Sequence, residues 1–114
     1  MDLVVIITYN EYFDNIIKWI NWIEDSGKSI NINHKYFIVN NTTNQIPQNN
    51  YNFNIIPKNT NVNKYVYENI TVNCKYILYI YDDSIIDTHI KITDMFKYLN
   101  INDDSYISFS NVNQ

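Results

Sequence analysis

The stretch Tyr76-Ile-Leu-Tyr-Ile-Tyr-Asp82-Asp83-Ser-Ile-Ile86 joins a short apolar run to two adjacent carboxylates. An almost unbroken apolar and aromatic run of this length predicts a strand that is buried on both faces of a parallel sheet. Ligands bind at the carboxyl ends of strands in open α/β sheets, and carboxylate oxygens bind divalent cations. The Asp pair therefore predicts a metal and phosphate site. The alternative is that Asp82 and Asp83 only open a loop and cap the next helix.

Apolar runs and amphipathic stretches alternate along the rest of the chain. Strands are expected at 3–8, 35–40, 52–56 and 106–109, in addition to the run that begins at Tyr76. Helices are expected from Asn10 or Glu11 to about Ser26, from an N-cap at Asn61 to about Val72, and from a cap at Asp87 or Thr88 to about Leu99. This alternation predicts one α/β domain over residues 1–114, a Rossmann-like unit with a mostly parallel sheet and helices on both faces.

Composition narrows the classes of partner. The chain has 114 residues, a net charge of −4 and no arginine, so the positive surface that nucleic-acid binding requires is not expected. No stretch has the length of a membrane-spanning helix, and the first residues lack the basic region of a signal peptide. The single cysteine, Cys74, excludes an internal disulfide and fits a reducing compartment. We therefore expect a soluble, cytoplasmic protein.

Three of the expected strands end in polar residues that could share one edge of the sheet. These ends are Thr8-Tyr9-Asn10-Glu11, Val39-Asn40-Asn41-Thr42 and Tyr81-Asp82-Asp83. Because parallel strands end at the same edge, the three groups are expected to converge there.

Four segments together resemble a known family. They are Val-Val-Ile-Ile-Thr-Tyr-Asn-Glu (4–11), Phe-Ile-Val-Asn-Asn-Thr-Thr (37–43), Lys-Asn-Thr-Asn (58–61) and Tyr-Ile-Leu-Tyr-Ile-Tyr-Asp-Asp-Ser (76–84). In this order and at this spacing, the set resembles the N-terminal, nucleotide-sugar-binding half of GT-A glycosyltransferases of the family 2 type. The resemblance extends over nearly the whole chain and implies the GT-A fold for it.

The resemblance implies a nucleotide pocket built from several strand ends. Thr8, Tyr9 and Glu11 would line the pocket after the first strand. Asn40 stands where the family has an Asp that contacts the base. Asn59 and Asn61 correspond to the family's Asn-x-Gly turn beside the nucleotide, with Asn in place of the glycine.

The same resemblance implies a cation at the Asp pair. Asp83 would be the ligand of a Mg²⁺ or Mn²⁺ ion that bridges the diphosphate, and Asp82 would lie near the ribose. Tyr81 stands where the first acid of the family's metal motif belongs, so only one carboxylate is aligned and a weakly held ion is expected.

The resemblance covers only the donor-binding half of the family's fold, and no residue was found for the general base that an inverting transfer needs. We therefore expect weak or no transfer by this chain alone, and whether it is an enzyme stays open. One alternative is a non-catalytic structural or partner-binding module that self-associates as a homo-oligomer. Another is that a separate chain supplies the acceptor-binding half.

Overall fold

The structure is a computed structural model of the chain, and it describes residues 2–27, 33–69, 75–85 and 89–102. Its elements, in chain order, are β1 (Asp2–Tyr9), α1 (Phe13–Ser26), β2 (Asn33–Asn40), β3 (Phe53–Ile55), α2 (Val62–Glu68), β4 (Tyr76–Tyr81) and α3 (Ile92–Asn102). The predicted strand at 106–109, Cys74 and the predicted caps Asp87 and Thr88 lie outside the described residues.

The four described strands form one sheet in the order β3-β2-β1-β4, and every neighbouring pair is parallel. β1 is central: Val5 is aligned with Tyr36 of β2 on one side and with Leu78 of β4 on the other. α1 and α3 pack on one face of this sheet and α2 on the opposite face. The predicted α/β class, with a parallel sheet between helices, is therefore confirmed.

The larger core lies between the sheet and the helices α1 and α3. Alternate residues of β1 point into it because successive side chains of a strand face opposite sides of the sheet. The helix α1 contributes a stripe of apolar residues three to four positions apart, the spacing of one helical face. The fully or nearly fully buried members from α1 and α3 are Phe13, Ile16, Trp19, Ile20, Trp22, Ile23, Ile92 and Phe96.

The smaller core lies between the sheet and α2. Val4 and Ile6 of β1 and Phe37 of β2 are buried there against Val66 of α2. α2 begins as predicted at Asn61, whose side chain accepts a hydrogen bond from the N–H of Lys64. This N-cap satisfies one of the donors that the first turn of a helix leaves unpaired.

The expectation that β4 is buried on both faces is wrong. Leu78 and Ile80 are buried, but Ile77, Tyr79 and Tyr81 are 51%, 48% and 54% exposed. The reason is position, since β4 is the last strand of the described sheet beyond β1. The buried residues of α2 pack over β1 and β2. α2 reaches this face of β4 at its margin, where the hydroxyl of Tyr79 donates to Oδ1 of Asn63 over 2.9 Å.

Two details near helix starts also differ from expectation. α1 begins at Phe13 rather than at Asn10 or Glu11, and Tyr12, which precedes it, is 53% exposed. α3 begins at Ile92, so Ile90 precedes it and is 38% exposed. Within the described part of the chain, no helix has the length and apolar character needed to cross a bilayer.

Candidate functional site

The carboxyl ends of β1, β2 and β4 lie side by side at one edge of the sheet. Backbone hydrogen bonds continue one residue past the ends of β2 and β4. The N–H of Asn41 donates to the carbonyl of Tyr9 over 2.9 Å, and the N–H of Asp82 donates to the carbonyl of Thr8 over 3.2 Å. The side-chain amide of Asn41 donates to Oδ1 of Asn10 over 2.9 Å. We define the carboxyl rim as the residues at or shortly after the carboxyl ends of the four strands: 10–11, 40–44, 58–61 and 81–84.

The side chain of Asp82 is buried at the rim, with 1% of its surface exposed. Its Oδ2 atom accepts hydrogen bonds from three consecutive main-chain N–H groups, those of Asn10 (2.8 Å), Glu11 (2.6 Å) and Tyr12 (2.8 Å). The start of a helix leaves N–H donors without an intrahelical partner, and Tyr12, at the N-cap of α1, makes no side-chain cap bond. The carboxylate of Asp82 therefore binds, from a distant part of the chain, the turn that leads into α1, including the N–H of its N-cap residue Tyr12.

The charge of Asp82 is stabilised in this position. Burial alone would raise the pKa of its carboxyl, but the hydrogen bonds from the N–H groups of Glu11, Tyr12 and Asn10 outweigh that effect and hold the pKa below its usual value. A carboxylate that accepts two or three backbone N–H bonds is favoured in its ionised form, and the positive end of the α1 dipole adds to this preference. Asp82 is therefore a fixed negative charge at neutral pH.

α1 also holds the main chain that follows β4. The side-chain amide of Asn15 donates to the carbonyls of Asp82 (2.8 Å) and Ser84 (2.7 Å). The indole N–H of Trp19 donates to the same Ser84 carbonyl over 3.1 Å. The turn is closed by the N–H of Ser84, which donates to the carbonyl of Tyr81. These contacts fix the backbone on both sides of Asp83.

Asp83 is exposed at the rim, unlike its neighbour Asp82. The other carboxylate that the rim presents to solvent is that of Glu11, and Lys58 is the cation of the described rim. The two adjacent acids thus differ in their surroundings: Asp82 is buried and binds the turn between β1 and α1, whereas Asp83 is exposed to solvent. The expected contact of Asp82 with a ribose stays a prediction. Oδ2 of Asp82 already accepts three hydrogen bonds.

The donor set decides what kind of cation the rim could hold. Within residues 2–27, 33–69, 75–85 and 89–102, no group of three His, Cys, Asp or Glu side chains could together ligate an ion. Ca²⁺ takes six to eight oxygen ligands, whereas Mg²⁺ is commonly held by one or two carboxylates together with water and substrate phosphates. Asp83 could supply one carboxylate ligand to a Mg²⁺ or Mn²⁺ ion whose other ligands come from water and a diphosphate.

The side chain of Asn40 is used within its own loop. Its Oδ1 accepts from the N–H (2.9 Å) and the hydroxyl (2.6 Å) of Thr42, and its amide donates to the carbonyl of Asn44 over 2.8 Å. This arrangement is an Asx turn, in which the side chain replaces a backbone hydrogen bond. The predicted base contact of Asn40 is untested, and it would require the side chain to exchange one of these partners.

Thr8 and Tyr9 point to opposite faces of the sheet. Thr8 is half-buried on the face that carries α2. Tyr9 is 7% exposed on the other face, where its ring packs against that of Phe13 with centroids 5.4 Å apart. Of these two predicted pocket residues, Thr8 is therefore nearer to solvent, and the ring of Tyr9 belongs to the core.

The turn between β3 and α2 contains Asn59 and Asn61, both exposed. Asn61 is the N-cap of α2, as described above. Asn59 has a φ of 63°, the left-handed region that non-glycine residues rarely occupy and that Asn tolerates better than most. The position that demands an unusual backbone is therefore 59, two residues before the place where the family that the segments resemble has its glycine.

Asn10, Asn15 and Asn41 connect the rim. Asn10 and Asn41 belong to the strand-end groups that are expected from the sequence to converge at this edge, whereas no role for Asn15 is predicted from the sequence. The side chains of Asn41 and Asn10 are hydrogen-bonded to each other, and the amide nitrogen of Asn10 lies 3.5 Å from Oδ1 of Asp82. The side chain of Asn15 binds the turn after β4. The chain is rich in asparagine, so no single one stands out. The available signal was position, because Asn10 and Asn41 each follow a strand directly.

Comparisons of the chain with protein-family models, with curated proteins and with solved structures find no match. The resemblance to GT-A glycosyltransferases therefore stays a prediction from the quoted segments, and the site defines an α/β domain with a polar, amide-rich carboxyl rim.

Proposed function

We propose that this chain binds a nucleoside diphosphate sugar at its carboxyl rim. The observation that carries the proposal is the hydrogen-bonded series Asn41–Asn10–Asp82, which links the ends of three parallel strands at the edge where α/β sheets bind ligands. The four segments that resemble the family all contribute to this rim. Binding is the core of the proposal, and transfer of the sugar would need in addition a general base beside an acceptor hydroxyl.

The chemistry of the rim suits a sugar and a base better than a bare phosphate. Amide and hydroxyl groups at 10, 40–44 and 59–61 can donate and accept hydrogen bonds at the same time. The solvent-facing charges are those of Glu11 and Asp83, opposed by Lys58. With a net negative rim, a diphosphate meets repulsion unless a cation accompanies it.

Asp83 would hold this cation, whose chemistry is to neutralise charge on the diphosphate. Asp82 has a different role in the proposal, because it orders the turn 10–12 and the backbone before Asp83. Of the other candidates, Thr8, Glu11 and Asn59 would contact the nucleotide directly, whereas Tyr9, Asn40 and Asn61 would support the loops that do.

Calorimetric titration tests the proposal with UDP, GDP and their sugar conjugates, each with and without Mn²⁺. We expect heat with at least one nucleotide, and a several-fold loss of affinity when Mn²⁺ is omitted. Asp83→Asn should abolish the Mn²⁺ dependence. Glu68→Gln removes the same charge from the exposed end of α2 at the opposite edge and should bind as the unchanged chain does. No heat and no rise in thermal stability with any nucleotide would refute the proposal.

A second candidate is a non-catalytic partner-binding module. The exposed apolar face of β4 favours it, because Ile77, Tyr79 and Tyr81 form a row of side chains that are each about half exposed. This module would show no nucleotide response in the same titrations. The two surfaces meet at Tyr81 but are otherwise formed by different residues, so one chain could carry both functions.

A further inference from the structure

β4 has a solvent-exposed face and an outer edge that no described strand pairs with. On the face opposite α1, Ile77, Tyr79 and Tyr81 are each about half exposed. Beyond β4, the described sheet has no further strand. An open edge offers a row of backbone N–H and carbonyl groups that can pair with another strand.

The outer edge of β4 lacks the features that usually keep an edge strand single. Its six residues, Tyr-Ile-Leu-Tyr-Ile-Tyr, include no charge, proline or glycine. Lysine, proline, bulges and short length are the common protections of natural edges. β3, at the opposite edge, is protected by its length of three residues. The sequence of β4 is therefore typical of a strand that has a neighbour on both sides.

The direction of the chain argues against a parallel neighbour supplied by the residues that directly follow α3. The step from β1 to β2 passes over the face that carries α1, and the step from β3 back to β4 passes over the opposite face. These two crossovers have the same hand. α3 lies on the face of α1, so a further parallel strand outside β4 would require a crossover of the opposite hand, which is rare.

An antiparallel neighbour from the same segment meets a problem of distance. The hydroxyl of Tyr76 donates to Oδ1 of Asn100 over 2.6 Å, so the end of α3 lies beside the first residue of β4. An antiparallel strand that pairs along the whole of β4 would begin at its other end, about 17 Å away at ~3.3 Å per residue. The chain from Asn102, the end of α3, to Tyr106, the first residue of the predicted strand, spans at most about 14 Å.

We infer that the outer edges of β4 from two copies of this chain pair antiparallel about a two-fold axis and form a continuous eight-stranded sheet from the two four-stranded sheets. Residues directly opposite each other in such a pair face the same side. The register with Tyr79 opposite Tyr79 of the second copy satisfies this condition. It sets Ile77 opposite Tyr81 and brings the two exposed apolar rows together.

Charge complementarity supports this register. Lys75 precedes β4 and Asp83 follows it, and both are exposed. With Tyr79 on the two-fold axis, the end of β4 that carries Lys75 in each copy lies beside the end of β4 in the other copy, where the turn 81–84 carries Asp83. Each end of the paired strands then carries one positive and one negative residue, whereas a parallel pairing would set like charges side by side, which is destabilising.

Asp83 is also the proposed cation ligand, so the decisive substitution is placed within β4 itself, away from Asp83. Ile77→Lys adds a charge to the exposed face of this edge, and Ile55→Lys is the matched control at the opposite edge, where Ile55 is 57% exposed in β3. Sedimentation velocity over a wide concentration range measures the dimer, and circular dichroism checks that both variants fold.

We expect a dimer for the unchanged chain and for Ile55→Lys, and a dissociation constant raised about tenfold or more for Ile77→Lys. A monomer at every concentration would overturn the inference, including the case in which residues 103–114 or a different protein cover the edge. Equal weakening by both variants would overturn it as well.

Charge reversal gives an independent readout if Ile77→Lys does not fold. Lys75→Glu and Asp83→Lys should each self-associate less than the unchanged chain, because each sets like charges opposite each other. Mixed in equal amounts, the two variants should form a heterodimer. The introduced Glu at 75 then meets the introduced Lys at 83, and the unchanged Lys75 meets the unchanged Asp83, so both ends carry opposite charges. Absence of a heterodimer from this mixture would count against the proposed register and the inference with it.

Discussion

The Oδ2 atom of Asp82 lies 2.6 Å from the main-chain nitrogen of Glu11, a residue 71 positions earlier in the chain. Two flanking N–H groups, those of Asn10 and Tyr12, donate to the same oxygen. One side chain thereby ties the end of β4 to the turn between β1 and α1. The stability of the domain and the shape of the carboxyl rim consequently depend on the same carboxylate.

Asp82→Ala should destabilise the fold more than any surface substitution. Removing the carboxylate leaves three N–H donors in the turn before α1, those of residues 10–12, without their acceptor, and the loss of an acceptor is costly for buried donors. We expect the free energy of unfolding to fall by about 3 kcal/mol, measured by urea denaturation.

Asp83→Ala is the matched control for this change. Asp83 is the adjacent residue of the same type, but it is exposed, so its loss should change the free energy of unfolding by less than about 0.5 kcal/mol. Equal effects at 82 and 83 would show that the turn before α1 does not depend on Asp82.

The stabilisation from Asp82 should disappear in acid. Its pKa lies below the ordinary value of 3.8 in the folded chain, so the unfolded chain binds a proton at higher pH than the folded chain does. The contribution is complete above the unfolded pKa and is lost as pH falls through the folded pKa. The difference in free energy of unfolding between the unchanged chain and Asp82→Asn should therefore be constant from about pH 7 to pH 5 and shrink below pH 3.8.

Taking this difference cancels the titration of the other carboxylates, which both proteins share. A difference that grows as the pH falls would mean that the folded pKa is raised, and the hydrogen-bonded arrangement at Asp82 would then be wrong.

The stability of the fold should depend on the two N–H donors of the Asn15 side chain. Its amide bridges the carbonyls of Asp82 and Ser84. Asn15→Ala should cost about 1–2 kcal/mol of unfolding free energy, and Asn15→Asp should cost more. The acid has no N–H to donate, and it would face two carbonyl oxygens near the charge of Asp82. Lys18→Ala, on the exposed side of α1, is the control and should be neutral.

The order of the two Asn15 variants separates two explanations. An acidic residue in the first turn of a helix is normally favourable by up to about 1 kcal/mol. If Asn15→Asp were the more stable variant, this general helix effect would dominate, and the bridge to the turn after β4 would contribute little.

The sequence predicted the alternation of strands and helices because hydrophobic periodicity is a local property. It also predicted the Asn61 cap, which depends on a residue three positions away. It failed at β4, where an apolar run was interpreted as buried on both faces. Exposure of Ile77 and Tyr79 depends on which strand forms the edge and where α2 lies, and neither is encoded within the run itself.

The sequence likewise does not predict that Asp82 is buried and binds the turn before α1 while Asp83 is exposed. Both acids follow the same strand, and the two readings offered for them were ligand binding and a local loop. The donors that bind Asp82 lie in the turn before α1 and come close only through the parallel pairing of β1 with β4. A contact between residues so far apart in sequence leaves no local pattern.

Asn59 should prefer glycine to any branched residue. Its φ of 63° costs most residues roughly 1–2 kcal/mol because Cβ approaches the following carbonyl oxygen, whereas glycine adopts it freely. Asn59→Gly should therefore leave the thermal midpoint unchanged or raised, and Asn59→Val should lower the free energy of unfolding by about 1–2 kcal/mol. Thr60→Val introduces the same side chain at the neighbouring exposed position as a control. If Asn59→Val and Asn59→Gly were equally stable, the left-handed backbone at this position would be refuted, and the turn before α2 would need a different geometry.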